Sequence, residues 1–86
     1  MTIKLTDAAF EDFSHWSKND SKLLKKIFEL LNNIQKEPFT GLGKPEQLKY
    51  DLSGYWSRRI NEEHRLVYKI ENEEIIIVSC RFHYTK

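Results

Sequence analysis

Arginine is unevenly spread along this chain: Arg58, Arg59, Arg65 and Arg81 all lie in the C-terminal half, and none precedes them. A planar guanidinium can hold two phosphate oxygens at once. Near these arginines stand His83, the side-chain type best able to move a proton near neutral pH, and Glu46 and Lys49, which follow a loop containing glycine and proline. Together these are the groups that phosphodiester cleavage in RNA requires. One group removes the proton from the ribose 2′-OH, cations hold the charge that grows on the phosphorane, and an acid protonates the departing 5′ oxygen. The nucleophile belongs to the substrate, so this chemistry needs no metal.

Each residue also has a plainer role. Glu46 can be a loop carboxylate paired with a neighbouring cation. Arg58 and Arg59 can be strand charges that keep a sheet edge from aggregating, and His83 can simply be solvated. His64 falls in an apolar set and reads as a hydrogen-bonded structural histidine, while His15 reads as surface. Trp56 and Phe82 suit a core, and Cys80 between Val78 and Phe82 suits an inert packed thiol. Tyr84 can stack on a base or cover a sheet edge. On the residues alone, a charged binding sheet and an RNA-cleaving sheet both stand.

Composition narrows the setting. The 86 residues make one domain, 1–86, with no room for two cores. Hydrophobic residues at 40% and charged residues at 31% exclude collagen-like, low-complexity and strongly disordered classes. A single cysteine excludes an internal disulfide, and no Cys/His spacing fits zinc, so neither metal nor cofactor is expected. The longest apolar run, Ile75-Ile76-Ile77-Val78, is far short of the ~20 residues that span a bilayer. The first residues lack a signal-peptide shape, so a cytoplasmic, reducing setting without a membrane is expected. The net charge of +1 is too small to hold RNA by bulk electrostatics, so any cationic site must be local.

The elements that must position these groups follow from spacing. Ile3 and Leu5 alternate with polar residues as a short strand. Thr6 then caps a helix over about 6–17, and Asn19-Asp20-Ser21 breaks it and caps a second over about 21–36. That second helix carries Leu23, Leu24, Ile27, Phe28, Leu30, Leu31 and Ile34 as an apolar stripe and stops before Pro38. Residues 39–45 form a loop. A short strand near 47–50 and three strands over 55–60, 64–70 and 74–83, joined by short turns, predict an antiparallel meander. The fold class is α+β, with both helices on one face of the sheet. Alternation puts His64, Leu66, Tyr68 and Ile70 with Ile76, Val78, Cys80 and Phe82 in the core. Arg59, Arg65, Arg81 and His83 are then gathered on the opposite face.

Four runs carry a family resemblance: Gly-Lys-Pro-Glu-Gln-Leu-Lys at 43–49, Leu-Ser-Gly-Tyr-Trp-Ser-Arg-Arg-Ile at 52–60, Glu-Glu-His-Arg-Leu-Val-Tyr at 62–68, and Cys-Arg-Phe-His-Tyr at 80–84. The chain closely resembles the YoeB toxins of the wider RelE group, over nearly its whole length. The resemblance implies a RelE-like fold and a metal-independent mRNA endoribonuclease acting in the A site of the 70S ribosome. It also implies a homodimeric toxin, neutralised by a YefM-like antitoxin. Matched residue by residue, Glu46 falls on the family's general base, His83 on its general acid and Arg65 on the cation that stabilises the transition state. Lys49 and Arg59 fall on supporting phosphate contacts and Tyr84 on a residue that positions the RNA. Arg81 joins the phosphate-binding group through its expected face. Leu42 replaces a lysine of the family pattern, Gln47 a proline and Phe82 a tyrosine, and Thr85-Lys86 extend past the usual terminal tyrosine. A ribosome that positions the RNA also accounts for the low net charge, since orientation alone can lower a barrier by ~7–11 kcal/mol in ideal cases.

Overall fold

Thr6 ends the first strand and starts the first helix. Its side chain accepts the Ala9 N–H at 3.1 Å, and its hydroxyl donates to the Val78 carbonyl at 2.9 Å. The computed structural model describes residues 1–82. Along the chain come β1 (Thr2–Leu5), α1 (Asp7–Asn19), α2 (Ser21–Lys36), β2 (Glu46–Gln47), a 3-10 turn (Tyr50–Leu52), β3 (Trp56–Arg59), β4 (Arg65–Glu71) and β5 (Glu74–Ser79). The strands form one sheet in the order β1-β5-β4-β3-β2. Strands β2 to β5 are the expected antiparallel meander, and β1 returns beside β5 in parallel. The α+β fold holds, with a mixed sheet.

Asp20 caps α2 by accepting the Leu23 N–H at 3.1 Å. Leu23, Ile27, Leu30, Leu31 and Ile34 of α2 meet Ala9 and Trp16 of α1, and Leu66, Tyr68, Ile75, Ile77 and Cys80 of the sheet side, in one apolar cluster. Phe28, expected in the buried stripe, is half exposed at 50% and packs edge-on against Phe13 at 5.9 Å. The short strand lies at 46–47 rather than 47–50. The β4–β5 turn places Asn72 (φ 52°) and Glu73 (φ 61°) in the left-handed region, the pairing a two-residue hairpin of right-twisted strands requires.

The last strand departs from the sequence pattern. Tyr68 pairs with Ile77, but the next pair is Val67 with Ser79, so Val78 is an extra residue on β5. Its carbonyl is taken by the Thr6 hydroxyl. The bulge reverses the alternation: Ile75 and Ile77 are buried before it and Cys80 after it, while Ile76 and Val78 lie outside the core. The strand also stops at Ser79 instead of reaching 83, and Phe82, expected inside, is 53% exposed.

Arg58 is the largest correction. It is not an edge-guarding charge but a buried side chain, 0% exposed. It lies opposite Leu66 on the helix-facing side of the sheet. All five of its N–H groups have acceptors. Nε donates to the Tyr68 hydroxyl at 3.0 Å, and Nη1 to Asn33 Oδ1 at 2.5 Å and the Leu42 carbonyl at 3.0 Å. Nη2 donates to the carbonyls of Glu37 at 2.6 Å and Thr40 at 2.8 Å. The Tyr68 hydroxyl in turn donates to the Pro38 carbonyl at 2.8 Å. One guanidinium thus organises the loop between α2 and β2. A lysine ammonium has three donors and no planar fork, so Arg58→Lys leaves buried acceptors unpaired. Arg58→Lys is expected to lose about 3 kcal/mol of stability, measured by urea unfolding; a loss within experimental error would refute the hub role.

Candidate active site

The helix-free face of the sheet carries the candidate groups. Arg59 and Arg65 are direct partners across β3 and β4, so their side chains share a face. One row along, Glu46 of β2 pairs with Ser57, which pairs with Val67. Glu46 and Arg59 are therefore diagonal neighbours on that face, about 7–8 Å apart by ordinary sheet geometry. Glu46 and Arg59 are exposed, while Ser57 and Val67 beneath them are buried. Two adjacent guanidiniums ~4 Å apart repel by about 1 kcal/mol in water and about 4 at an effective dielectric of 20. An anion lying between them turns that cost into attraction.

Glu46 owes its place to Gly43. The Arg59 N–H donates to the Gly43 carbonyl at 2.7 Å, drawing the loop against β3. Gly43 has φ +80°, and a Cβ there would lie 3.0 Å from the Arg58 Cβ, the Arg59 carbonyl and Leu30. Only glycine suits both the angle and the approach.

Arg65 leaves a tight turn. Asn61 Oδ1 accepts the backbone N–H groups of Glu63 and His64 at 2.8 and 2.7 Å, an Asx turn. The Arg65 guanidinium donates back to the Asn61 and His64 carbonyls at 3.0 and 3.3 Å. His64 is buried, as its apolar setting predicts, and it is bonded: Nδ1 accepts the Phe82 N–H at 2.6 Å. The Phe82 carbonyl accepts the Arg65 N–H at 3.0 Å.

The other predicted site residues are placed differently. Lys49 is exposed two residues past β2, where the chain leaves the sheet. Arg81 lies beyond the end of β5, so strand register does not gather it with Arg59 and Arg65; its guanidinium sits 4.7 Å from the Phe82 ring centre. His83 and Tyr84 lie outside the described residues. Lys26 and Lys44, to which the sequence assigned no site role, border an open pocket of about 350 Å³ beside Arg59, Asn61 and Glu62. Lys26 is four residues before Leu30, on α2, and nothing in the local sequence links it to β3. Among the described residues no three His, Cys, Asp or Glu side chains cluster to hold a metal ion, and no helix is long and apolar enough to cross a membrane.

The family described as YoeB-like toxin of bacterial type II toxin–antitoxin systems matches residues 5–84. A toxin YoeB from Synechocystis is 54% identical over 86 residues, covering 100% of both chains. The heterotetrameric YoeB–YefM toxin–antitoxin complex from Staphylococcus aureus contains a chain of 49% identity and TM-score 0.90, with 98% of each chain covered. The YoeB dimer from the same organism is likewise 49% identical over 98% of each chain, with TM-score 0.91.

Cys80 lies in the segment that leads to the end of the chain. Burial, and then the charge of Asp12, push its thiol up to about 12 from an ordinary value of 9.0. Burial also raises the Tyr68 phenol, against the opposing effect of Arg58. In the unfolded chain both groups ionise at lower pH than in the fold. The Cys80 contribution is therefore fully present below about pH 9 and is lost as pH rises toward about 12, and the Tyr68 contribution is lost in the same direction above its ordinary value of 10.0. Urea unfolding should show stability falling over this alkaline window, with a shallower fall in Cys80→Ala; an identical slope in that variant would refute the assignment to Cys80.

Proposed function

The chain belongs to the YoeB-like toxins of bacterial type II toxin–antitoxin systems, and from that premise we propose that it is a metal-independent endoribonuclease that cuts mRNA in the A site of the 70S ribosome. The observation that carries this is the direct pairing of Arg59 with Arg65, with Glu46 on the same sheet face one row away. A scissile phosphate above the two arginines has its charge met from both strands, and a carboxylate stands to one side.

The reaction needs no protein nucleophile. Glu46 takes the proton from the ribose 2′-OH, and the O2′–P bond forms. Arg65 holds the charge on the equatorial oxygens of the phosphorane, and its guanidinium is already oriented by two backbone carbonyls. As the P–O5′ bond breaks, His83 gives a proton to the leaving oxygen. Arg59, Lys49 and Arg81 contact flanking phosphates, and Tyr84 positions the RNA. The products are a 2′,3′-cyclic phosphate, or the 3′-phosphate formed from it, and a 5′-OH. The ribosome supplies the orientation that a chain of net charge +1 cannot supply by electrostatics.

The chain acts in the cytoplasm as a homodimer, and a YefM-like antitoxin silences it. Solved relatives appear as a YoeB dimer and as a YoeB–YefM heterotetramer, which supports both partners. An antitoxin segment that is acidic or extended fits the cationic face at Arg59 and Arg65.

The test is incubation of mRNA with the protein, with and without programmed ribosomes, followed by end-group analysis. Cleavage is expected only with ribosomes, and a 5′-phosphate on the downstream fragment would overturn the mechanism. Glu46→Gln and His83→Gln should each slow single-turnover cleavage by about 10²–10⁴-fold with ribosome binding nearly intact. Arg65→Ala should cost a comparable factor, since it removes a preoriented contact to the transition state.

A further inference from the structure

His64 takes no part in the chemistry above, yet it is a buried polar ring beside the site. Its surroundings define what it does. The ring meets Trp16 edge-on at 4.7 Å and Phe82 at 5.5 Å. Nδ1 accepts the Phe82 N–H at 2.6 Å, so this nitrogen carries the lone pair and the proton sits on Nε2. The Glu63 carboxylate, 3.5 Å from Nε2, favours that tautomer.

Phe82 needs such a partner. It has left β5, so no sheet ladder holds it, and its φ of 64° is a strained angle for an aromatic residue. Four side-chain or main-chain bonds hold the strand's continuation instead. Asp12 Oδ2 accepts the Cys80 N–H at 3.0 Å, and the Trp16 indole N–H donates to the Cys80 carbonyl at 2.9 Å. His64 accepts the Phe82 N–H, and the Arg65 N–H donates to the Phe82 carbonyl at 3.0 Å. Residues 64 and 65 therefore grip both sides of Phe82, and residue 65 is the cation of the proposed reaction.

We propose that His64 is a positioning residue: through Nδ1 it fixes the backbone one residue before His83, in a set distance from Arg65. The inference rests on the nuclease reading, in which His83 is the acid and Arg65 the charge-stabilising cation. The main chain at Phe82, which leads to the acid, is then held by residues 64 and 65, the second of which carries the cation. Loss of the Nδ1 acceptor lets the Phe82 amide turn to water, since that residue is half exposed. The fold persists, and the main chain that leads to the acid is released.

The experiment compares His64→Asn, whose Oδ1 can accept where Nδ1 does, with His64→Phe, which keeps a ring but has no acceptor. Thermal unfolding and ribosome binding are recorded for both. With wild type cutting mRNA on programmed ribosomes, His64→Phe is expected to slow single-turnover cleavage by about 10²-fold. His64→Asn should recover most of that rate although it packs less well. Equal rates in the two variants, whether both fast or both slow, would overturn the proposal. Hydrogen exchange gives a readout without activity: the Phe82 amide should be protected in wild type and His64→Asn and exchange freely in His64→Phe. Two-bond proton–nitrogen spectra of wild type should show Nδ1 unprotonated, and a protonated Nδ1 would refute the clamp even if a variant fails to fold. If wild type does not cut on ribosomes, the nuclease reading falls, and the exchange and tautomer measurements alone decide whether His64 holds the segment.

Discussion

A buried guanidinium holds this small domain's least regular segment in place. Residues 37–45 connect α2 to β2 without helix or strand, and main-chain carbonyls in such a stretch need donors once water is excluded. Arg58 supplies them from the sheet. Its partners are a phenol, an amide oxygen and three carbonyls, all neutral. An uncompensated buried cation would ordinarily be prohibitive. Here the charge lies at the C-terminal end of α2, bonded to Asn33 in its last turn and to the carbonyl of its C-cap, Glu37. The negative end of the helix dipole, about half an elementary charge, faces it. The geometry of a planar fork and the field of a helix end together make the burial tolerable, and the loop that carries Glu46 inherits its shape from both.

The strand pleat then divides labour between neighbours. Arg58 and Arg59 are adjacent in sequence and chemically identical, yet one points among the helices and the other faces outward beside Arg65. The first fixes the scaffold and the second is left free to face solvent on the candidate site's side of the sheet. This explains how a chain with nearly balanced charge can present a cationic patch. Positive groups are concentrated by register, while carboxylates such as Asp12 and Asp20 are spent on caps and backbone N–H groups elsewhere. Lys4 with Glu74 and Lys69 with Glu71 form partly exposed surface pairs worth little to stability. They do keep the rest of the surface mixed in sign.

The parts legible in the sequence are those set by local rules. Thr6 and Asp20 announce themselves as caps, the apolar stripe of α2 has helical period, and the short polar turns at 61–63 and 71–73 force a meander. Alternation could also be trusted on β4, where Leu66 and Tyr68 are buried as expected. It failed on β5 because periodicity reports burial only while register is unbroken, and an extra residue at Val78 flips every position beyond it. Arg58 was opaque for a different reason. Nothing local distinguishes an arginine whose five donors are satisfied by Asn33, Glu37, Thr40, Leu42 and Tyr68 from one that is solvated, since those partners lie 10 to 25 positions away. Of the candidate site, Glu46, Arg59 and Arg65 could be named from residue type and resemblance. The common face of Arg59 and Arg65 follows from alternation and is met by their pairing, whereas the place of Glu46 beside them, and the separation of Lys49 and Arg81 from that register, are tertiary facts.

A common device links the segments that build the site. The loop before Glu46 is held by Arg58, the turn before Arg65 by Asn61, and the stretch before His83 by Asp12, Trp16 and His64. In each case a side chain bonds main chain in a region that no ladder reaches. A sheet with a two-residue edge strand and a last strand that stops at Ser79 has too few ladder bonds near the site to fix it. The apolar core cannot do so either, because dispersion and hydrophobic contact are non-directional. Hydrogen bonds supply direction, and directed donors and acceptors are what a reaction with several simultaneous contacts demands. Stability and function therefore draw on different residues in this fold. The cluster around Ile27, Leu30 and Ile77 keeps the domain folded, and a thin set of polar side chains beside it decides where the candidate groups stand. Arg58, Tyr68 and Trp16 belong to both sets, each packed in the core while bonding main chain that leads to the candidate site.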